Sequence, residues 1–486
     1  NAHNGIEEWS FIPQALLETQ KDLMDNINGA HIYGLDSTPT IRVYDANNNG
    51  SIEPAGTDID GNGSITTNEK DYVHAYVSMR RGGRNIYAFD ITPSTKITDR
   101  TTTNAVSPKL MWRIDGGSGD FSALGQTWSR PLPATINYNG SPKDVLIFAG
   151  GYHTGQDDSF GVSAYGNAIY IVDADNGNRL WWASNTGADL NLAEMIYAIP
   201  SDVALMDANS DGVIERLYVG DTGGQLWRID LAATLSSSTG ARLAAISSSA
   251  DDADKRKFFY PPDVAQMSDG VFSTTKLYDL VTISSGNRSH PLDATVNDRF
   301  YAFRDTHVAS VIPSGFTPIT ASDMADVTDV NIQSGSADAT ALKSKKGWFI
   351  NFQEYNDDWK GEKGLSSPLI LDGKIFFATY IPEADTSEDP CGGAVEGSGR
   401  LYAVNLLNGA AVYDWYNPPV NPNNQAVLTV EDRRDPLGDG IPSDPIAVFQ
   451  KTGVDVMVGT GGGATVVDPE VGLPRKRTFW QQLRIE

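Results

Sequence analysis

One cysteine, Cys391, in 486 residues means that no disulfide can close within this chain, so the usual staple of secreted domains is missing. Six histidines, at 3, 31, 74, 153, 290 and 307, are scattered with no second His or Cys at a transition-metal ligand spacing, which argues against zinc. Positive charge is scarce: 37 Lys and Arg stand against 62 Asp and Glu, and a net charge of −25 repels a phosphate backbone, so no nucleic-acid partner is expected. There is no signal-like apolar stretch and no hydrophobic run long enough to span a bilayer. The chain starts at Asn1, and it reads as part of a longer precursor. No phosphate-binding glycine loop is present, and Ser129, Ser284 and Ser398 lie in no nucleophile elbow, so no catalytic residue is assigned and a non-enzymatic role is expected.

What the sequence has in quantity is turn formers and rings: 47 Gly, 25 Pro, 10 Trp, 19 Tyr and 17 Phe. A loose repeat of glycine, aromatic strand, Asp or Asn, turn and often tryptophan recurs in GRNIYAFDITP (83–93), GNAIYIVDADNGNRLWW (166–182), GGQLWRIDL (223–231), NDRFYAFRD (297–305) and GRLYAVNLLNGAAVYDW (399–415). Repeated strand groups of this kind predict blades about an axis, with tryptophans packed between neighbours and one face of each strand buried. The expected architecture is a single all-β propeller domain over 1–486 with loop and short helical insertions. Residues 10–28 carry a helical stripe of Leu16, Leu17, Leu23, Met24 and Ile27. Segments 36–71, 235–270, 310–346 and 417–440 read as excursions from the blades, and GTGGGATVV (459–467) as a tightly turning strand end. The basic run PRKRTFWQQLR (474–484) reads as a terminal strand flanked by solvated charges.

Three loops place oxygen donors on alternate residues around a glycine at the sixth position, the pattern by which a short loop curls around calcium. In DANSDGVIE the donors are Asp207, Asn209, Asp211, the Val213 carbonyl and Glu215, with Gly212 permitting the turn. DIDGNGSITTNE fits the full twelve-residue pattern with Asp58, Asp60, Asn62, the Ser64 carbonyl, Thr66 or a water, and Glu69 around Gly63. A strand, DYVHAYVSM, is expected after it rather than a helix. DANNNGSIE offers Asp45, Asn47, Asn49, the Ser51 carbonyl and Glu53, with two carboxylates where the first loop has three, so it is the weakest site. Like charges crowded into nine residues repel until a cation joins them, and the ion then fixes the hairpin.

The combination of DANSDGVIERLYVGDTGGQLWRIDL (207–231), LGQTWSRP (124–131), IFAGGY (147–152), GNRSHPLDATVNDRFYAFRD (286–305) and FWQQLR (479–484) resembles the C-terminal domain of the PilY1/PilC family of type IV pilus proteins. The resemblance implies a modified seven-bladed β-propeller at the pilus tip or outer membrane, exported through the periplasm. It also implies Ca2+ as cofactor and roles in pilus biogenesis, extension against retraction, twitching motility and adhesion. Pilin or minor pilins are the implied partners, with a host-cell surface ligand in addition. The family's calcium loop corresponds to Asp207, Asn209, Asp211, Val213 and Glu215, where Glu215 stands in place of a more usual Asp. The loops at 45–53 and 58–69 rest on spacing alone. Two other classes share the repeat: a periplasmic quinoprotein (PQQ) dehydrogenase-like propeller and a carbohydrate-binding lectin propeller.

Overall fold

The computed structural model describes residues 7–469 except 8, 26–30, 55–56, 59–61, 65–69, 95–105, 158, 314, 333–335, 354–358, 383–396, 416–427 and 451–452. Cys391 and the run 474–484 lie outside the described residues.

Runs such as VLIFA (145–149) are apolar at every position because both faces of the strand are covered. Leu146 and Phe148 pack toward Tyr76, Ala88 and Trp112 of the preceding sheet, whereas Val145 and Ile147 pack toward Leu217, Val219 and Trp227 of the following one. The expectation of one buried face per strand is therefore corrected: each interior sheet is sandwiched between two others. The described residues form six sheets in chain order, antiparallel apart from the two-residue strands Leu190–Asn191 and Ala325–Asp326, which pair in parallel. Five hydrophobic clusters join each sheet face to face with the next, the geometry of blades around an axis. Tryptophans lie in these joints as expected, with Trp181, Trp227 and Trp348 fully buried. The described residues supply six such sheets where seven blades were expected.

The first strands of the sheets are Thr40–Tyr44, Leu132–Tyr138, Ala204–Met206, Asp263–Ser268 and Ile446–Phe449, and in the fifth sheet Leu369–Leu371 takes the same place after a two-residue strand, Lys363–Gly364. Several of them meet directly, the first with the second, the third with the fourth and the fourth with the fifth, which marks them as the inner strands. Their entry is built the same way five times. A serine three residues upstream, Ser37, Ser129, Ser201, Ser366 or Ser443, hydrogen-bonds the end of the next strand of its own sheet, at Ser78 Oγ, Ala149 N, Gly220 O, Ala378 N and Gly459 N respectively. The bonds run from 2.7 to 3.3 Å and close the start of each blade without a disulfide.

Two expectations need correction, the helix in 10–28 and the excursions from the blades. Of the stripe in 10–28, only Leu16 is buried; Leu17, Leu23 and Met24 are exposed and Ile27 lies outside the described residues. A 3-10 turn at Gln14–Leu16 and a helix at Gln20–Asp25 replace one long helix, because of the stripe only Leu16 meets Met79, Tyr87 and Phe89 of the first sheet, alongside Phe11 and Leu35. The supposed excursions hold blade strands: Thr40–Tyr44 in 36–71, Thr239–Ala245 and Asp263–Ser268 in 235–270, and Arg434–Asp439 in 417–440. Segment 310–346 adds Ala325–Asp326 and a second helix, Ala337–Lys343, whose first turn is capped by Ser336 Oγ accepting from Ala339 N at 3.1 Å. Two strands fall where they were expected: Tyr72–Ser78 follows the second calcium-type loop, and Val454–Thr460 turns tightly into Gly463–Val467.

Candidate metal centre

The inner hairpin of each sheet shows why an acidic loop is fused to a strand pair. In the second sheet Tyr138 pairs with Ser141 across a two-residue turn, Asn139-Gly140, and in the fifth Leu371 pairs with Lys374 across Asp372-Gly373. All four turn residues have positive φ, between 46° and 88°, the demand of a tight hairpin turn met by Asn-Gly and Asp-Gly. At the same place in the third sheet Met206 pairs with Arg216, and the nine residues 207–215 stand where two would serve. In the first sheet Tyr44 pairs with Tyr72, and both other loops lie between them. The three loops thus occupy one structural position, at the opposite ends of the inner strands from the serine-closed entries.

Within 207–215 the carboxylate of Asp207 is the hub. Oδ1 accepts from Ser210 N at 2.6 Å and Asp211 N at 3.2 Å, and Oδ2 from Gly212 N at 2.8 Å. Gly212 has φ +87°, a conformation that a side chain there would resist. Asn209 Oδ1 accepts from Asp211 N and Asp211 Oδ1 from Val213 N, so each acidic or amide side chain folds back on the loop. Glu215 returns from the strand: Oε2 accepts from Ala208 N and Oε1 from the Asn209 amide, both at 2.9 Å. Ligand oxygens of Asp207, Asp211 and Glu215 come within 4.8 Å of one another. Burial, and then the charges of Asp211 and Asp207, push the Glu215 carboxyl above its ordinary value against the bond from Ala208. A crowd of carboxylates aimed at one point suits a hard divalent cation, and Asp207, Asn209, Asp211 and Glu215 would hold it with their side-chain oxygens and Val213 with its carbonyl. Glu215 reaches the cluster from the residue just before the strand Arg216–Gly220.

The exit of this loop is rigid. Arg216, the next residue, is buried and pairs with Asp230 at 3.2 Å and with Asp279 of the fourth sheet. Arg228 completes the cluster by pairing with Asp230 and Asp305.

The loop at 45–53 follows the same plan: Asp45 Oδ2 accepts from Gly50 N at 2.7 Å, Asn49 N approaches Asn47 Oδ1, Ser51 N donates to Asn49 Oδ1, and the Asn49 amide donates to Glu53 Oε1 at 2.9 Å. Sequence reasoning missed its anchor. The buried Asp71 accepts from Ala46 N and Glu53 N, both at 2.8 Å, and so clamps the two ends of the loop together. The only signal was an acidic residue directly before a strand. In the loop at 58–69, Asp58 Oδ2 accepts from Gly63 N at 2.7 Å and Asn62 Oδ1 from Ser64 N at 2.8 Å; Asp60, Thr66 and Glu69 lie outside the described residues.

Comparison with known proteins agrees with this architecture. The family model for the PilY1 beta-propeller domain matches residues 29–262. The type IV pilus biogenesis factor PilY1 of Pseudomonas aeruginosa is 28% identical over 238 residues, covering 48% of this chain and 16% of that protein. A PilY1 homolog of Xylella fastidiosa is 23% identical over 364 residues, covering 70% of this chain and 22% of the relative. The matched parts are thus less than a quarter of either relative's length. The crystal structure of the Pseudomonas aeruginosa PilY1 C-terminal domain superposes with a TM-score of 0.61 at 18% identity, covering 96% of this chain and 89% of that one. By sequence over residues 29–262 and by fold over nearly its whole length, this chain is similar to the PilY1 C-terminal domain.

Proposed function

We propose that this chain is the calcium-binding propeller of a type IV pilus biogenesis factor, displayed at the cell surface and acting by binding, without catalysis, on the pilus machinery. The observation that carries the reading is the convergence of Asp207, Asp211 and Glu215 where other blades use a two-residue turn, in a chain whose relatives are pilus biogenesis factors. Calcium, when bound, offsets two of the three carboxylate charges and ties the loop's oxygens to one point. The chain's own part is to present those oxygens from a hairpin whose exit, at Arg216, is locked into the fourth sheet. Ordering this edge shifts the balance between pilus extension and retraction through tighter binding of one state to pilin or minor pilins, with twitching and adhesion to host cells as consequences.

Calcium calorimetry tests the site. Extracellular modules bind in the range of about 10⁻⁴ to 10⁻³ M, and Asp207→Ala should remove one binding step, because Asp207 both orders the loop and donates to the ion. An isotherm unchanged by that substitution would refute the assignment. The pilus role is tested separately by surface motility of a strain carrying Glu215→Ala across a calcium series; wild-type motility at every calcium level would refute it.

A further inference from the structure

The opposite end of the propeller carries a second constructed site. Each residue that follows one of the five entry serines reaches one cavity, of about 210 Å³, on the axis. Thr38, Arg130, Asp202, Ser367 and Asp444 stand two residues before the inner strands, as does Pro261 in the fourth sheet. All six sheets therefore contribute an equivalent position to one ring.

The ring's own charges are largely satisfied. Asp202 takes Arg130 through both its backbone N and its Nε at 2.6 Å, and Asp444 accepts from Ser367 N at 2.8 Å and from its hydroxyl. Two further guanidiniums at the cavity make, among the described residues, no hydrogen-bonded ion pair. Arg80 lies 3.7 Å from a half-exposed Asp36 and 4.8 Å over the Trp128 ring. Arg288 lies beside Tyr260 and, among the described residues, forms no ion pair. Arg80 is also held at φ +51°, a left-handed backbone that is strained for a non-glycine residue and persists only where the surroundings impose it. Its N–H is pinned to Thr127 O at 3.1 Å, which keeps the side chain at the mouth. Against a body of net charge −25, Arg80 over the Trp128 ring and Arg288 beside Tyr260 make a local trap for an anion. The planar fork matches a carboxylate, and the nearby Asp202 and Asp444 penalise a second negative charge.

We propose that this axial cavity binds a ligand of amino-acid size bearing one carboxylate, gripped by Arg80 and Arg288 against Trp128 and Tyr260. The carboxylate is that of a protein C-terminus or of a free small acid. Calorimetry and tryptophan fluorescence on the intact chain test it with four probes: hippurate, its primary amide, the peptide acetyl-Gly-Ser-Phe with a free carboxylate, and the same peptide amidated. Either acid should bind below about 5 mM while its amide does not, and the acid that binds identifies the source. Arg80→Gly keeps the backbone conformation without strain, and it should weaken the acid about tenfold, as should Arg288→Ala. Absence of binding by both acids, equal binding of the amides, or full affinity in the two variants would each overturn the proposal.

Discussion

At the scale of single residues, the decisive chemistry is that of Glu215. Its carboxyl is raised above the ordinary 4.5 by burial and by Asp211 and Asp207, so a proton would compete with the proposed calcium ion for it. Without metal, the protonated group contributes stability that is complete below 4.5 and fades as the pH rises through the raised value. Calcium reverses the sign, because the ion binds the deprotonated form. Calcium affinity should therefore rise as the pH climbs from 4.5 through the raised value, and Glu215→Gln should flatten that rise while weakening binding; titrations at three pH values in the same buffer series check both. An affinity independent of pH in the wild type would show that Glu215 stays out of the coordination sphere.

At the scale of elements, a hairpin can be closed by a turn or by an ion. Asn139-Gly140 and Asp372-Gly373 close theirs with positive φ, whereas Asp207–Glu215 needs its carboxylates reconciled. Replacing residues 207–215 by Asn-Gly should preserve the Met206 and Arg216 pairing and leave thermal stability indifferent to calcium, with chelator-treated protein melting at the same temperature as calcium-loaded protein. A chelator-induced shift equal to that of the parent chain would locate the stabilising ion elsewhere, in the loops of the first sheet. There Asp71 plays the part that Arg216 plays in the third, fixing a loop's ends to the strand that follows.

At the scale of the whole molecule, stability resides between sheets. The joint of the third and fourth sheets contains Arg216, Arg228, Asp230, Asp279 and Asp305, all buried, with the Tyr218 hydroxyl in hydrogen-bond reach of Asp279 at 2.9 Å and of Asp305 at 2.8 Å. Asp305→Ala would leave Arg228 short of a partner at full burial and should cost about 3–5 kcal/mol, read as a lower denaturant midpoint. Trp348→Ala in the next joint should cost a similar 3–5 kcal/mol through the cavity it leaves among Phe300, Phe377 and Tyr402. A loss below about 1 kcal/mol at both positions would mean that the blades are held chiefly by their backbone ladders.

The sequence by itself determined the all-β class, the aromatic strands and the three oxygen-rich loops, because strand periodicity, turn chemistry and ligand spacing are local and need no partner to be read. It also held the five entry serines, but a serine signals nothing until the strand end it bonds is in place. Only the tertiary structure decided that apolar runs such as 145–149 are buried on both faces, that the stripe near residue 20 is mostly exposed, and that Asp71 anchors a metal-type loop. It alone brought Arg80 and Arg288 to one axial cavity, since residues more than 200 positions apart meet there only after the sheets have packed in a ring. Packing is a property of pairs of surfaces, and no single stretch of chain specifies both.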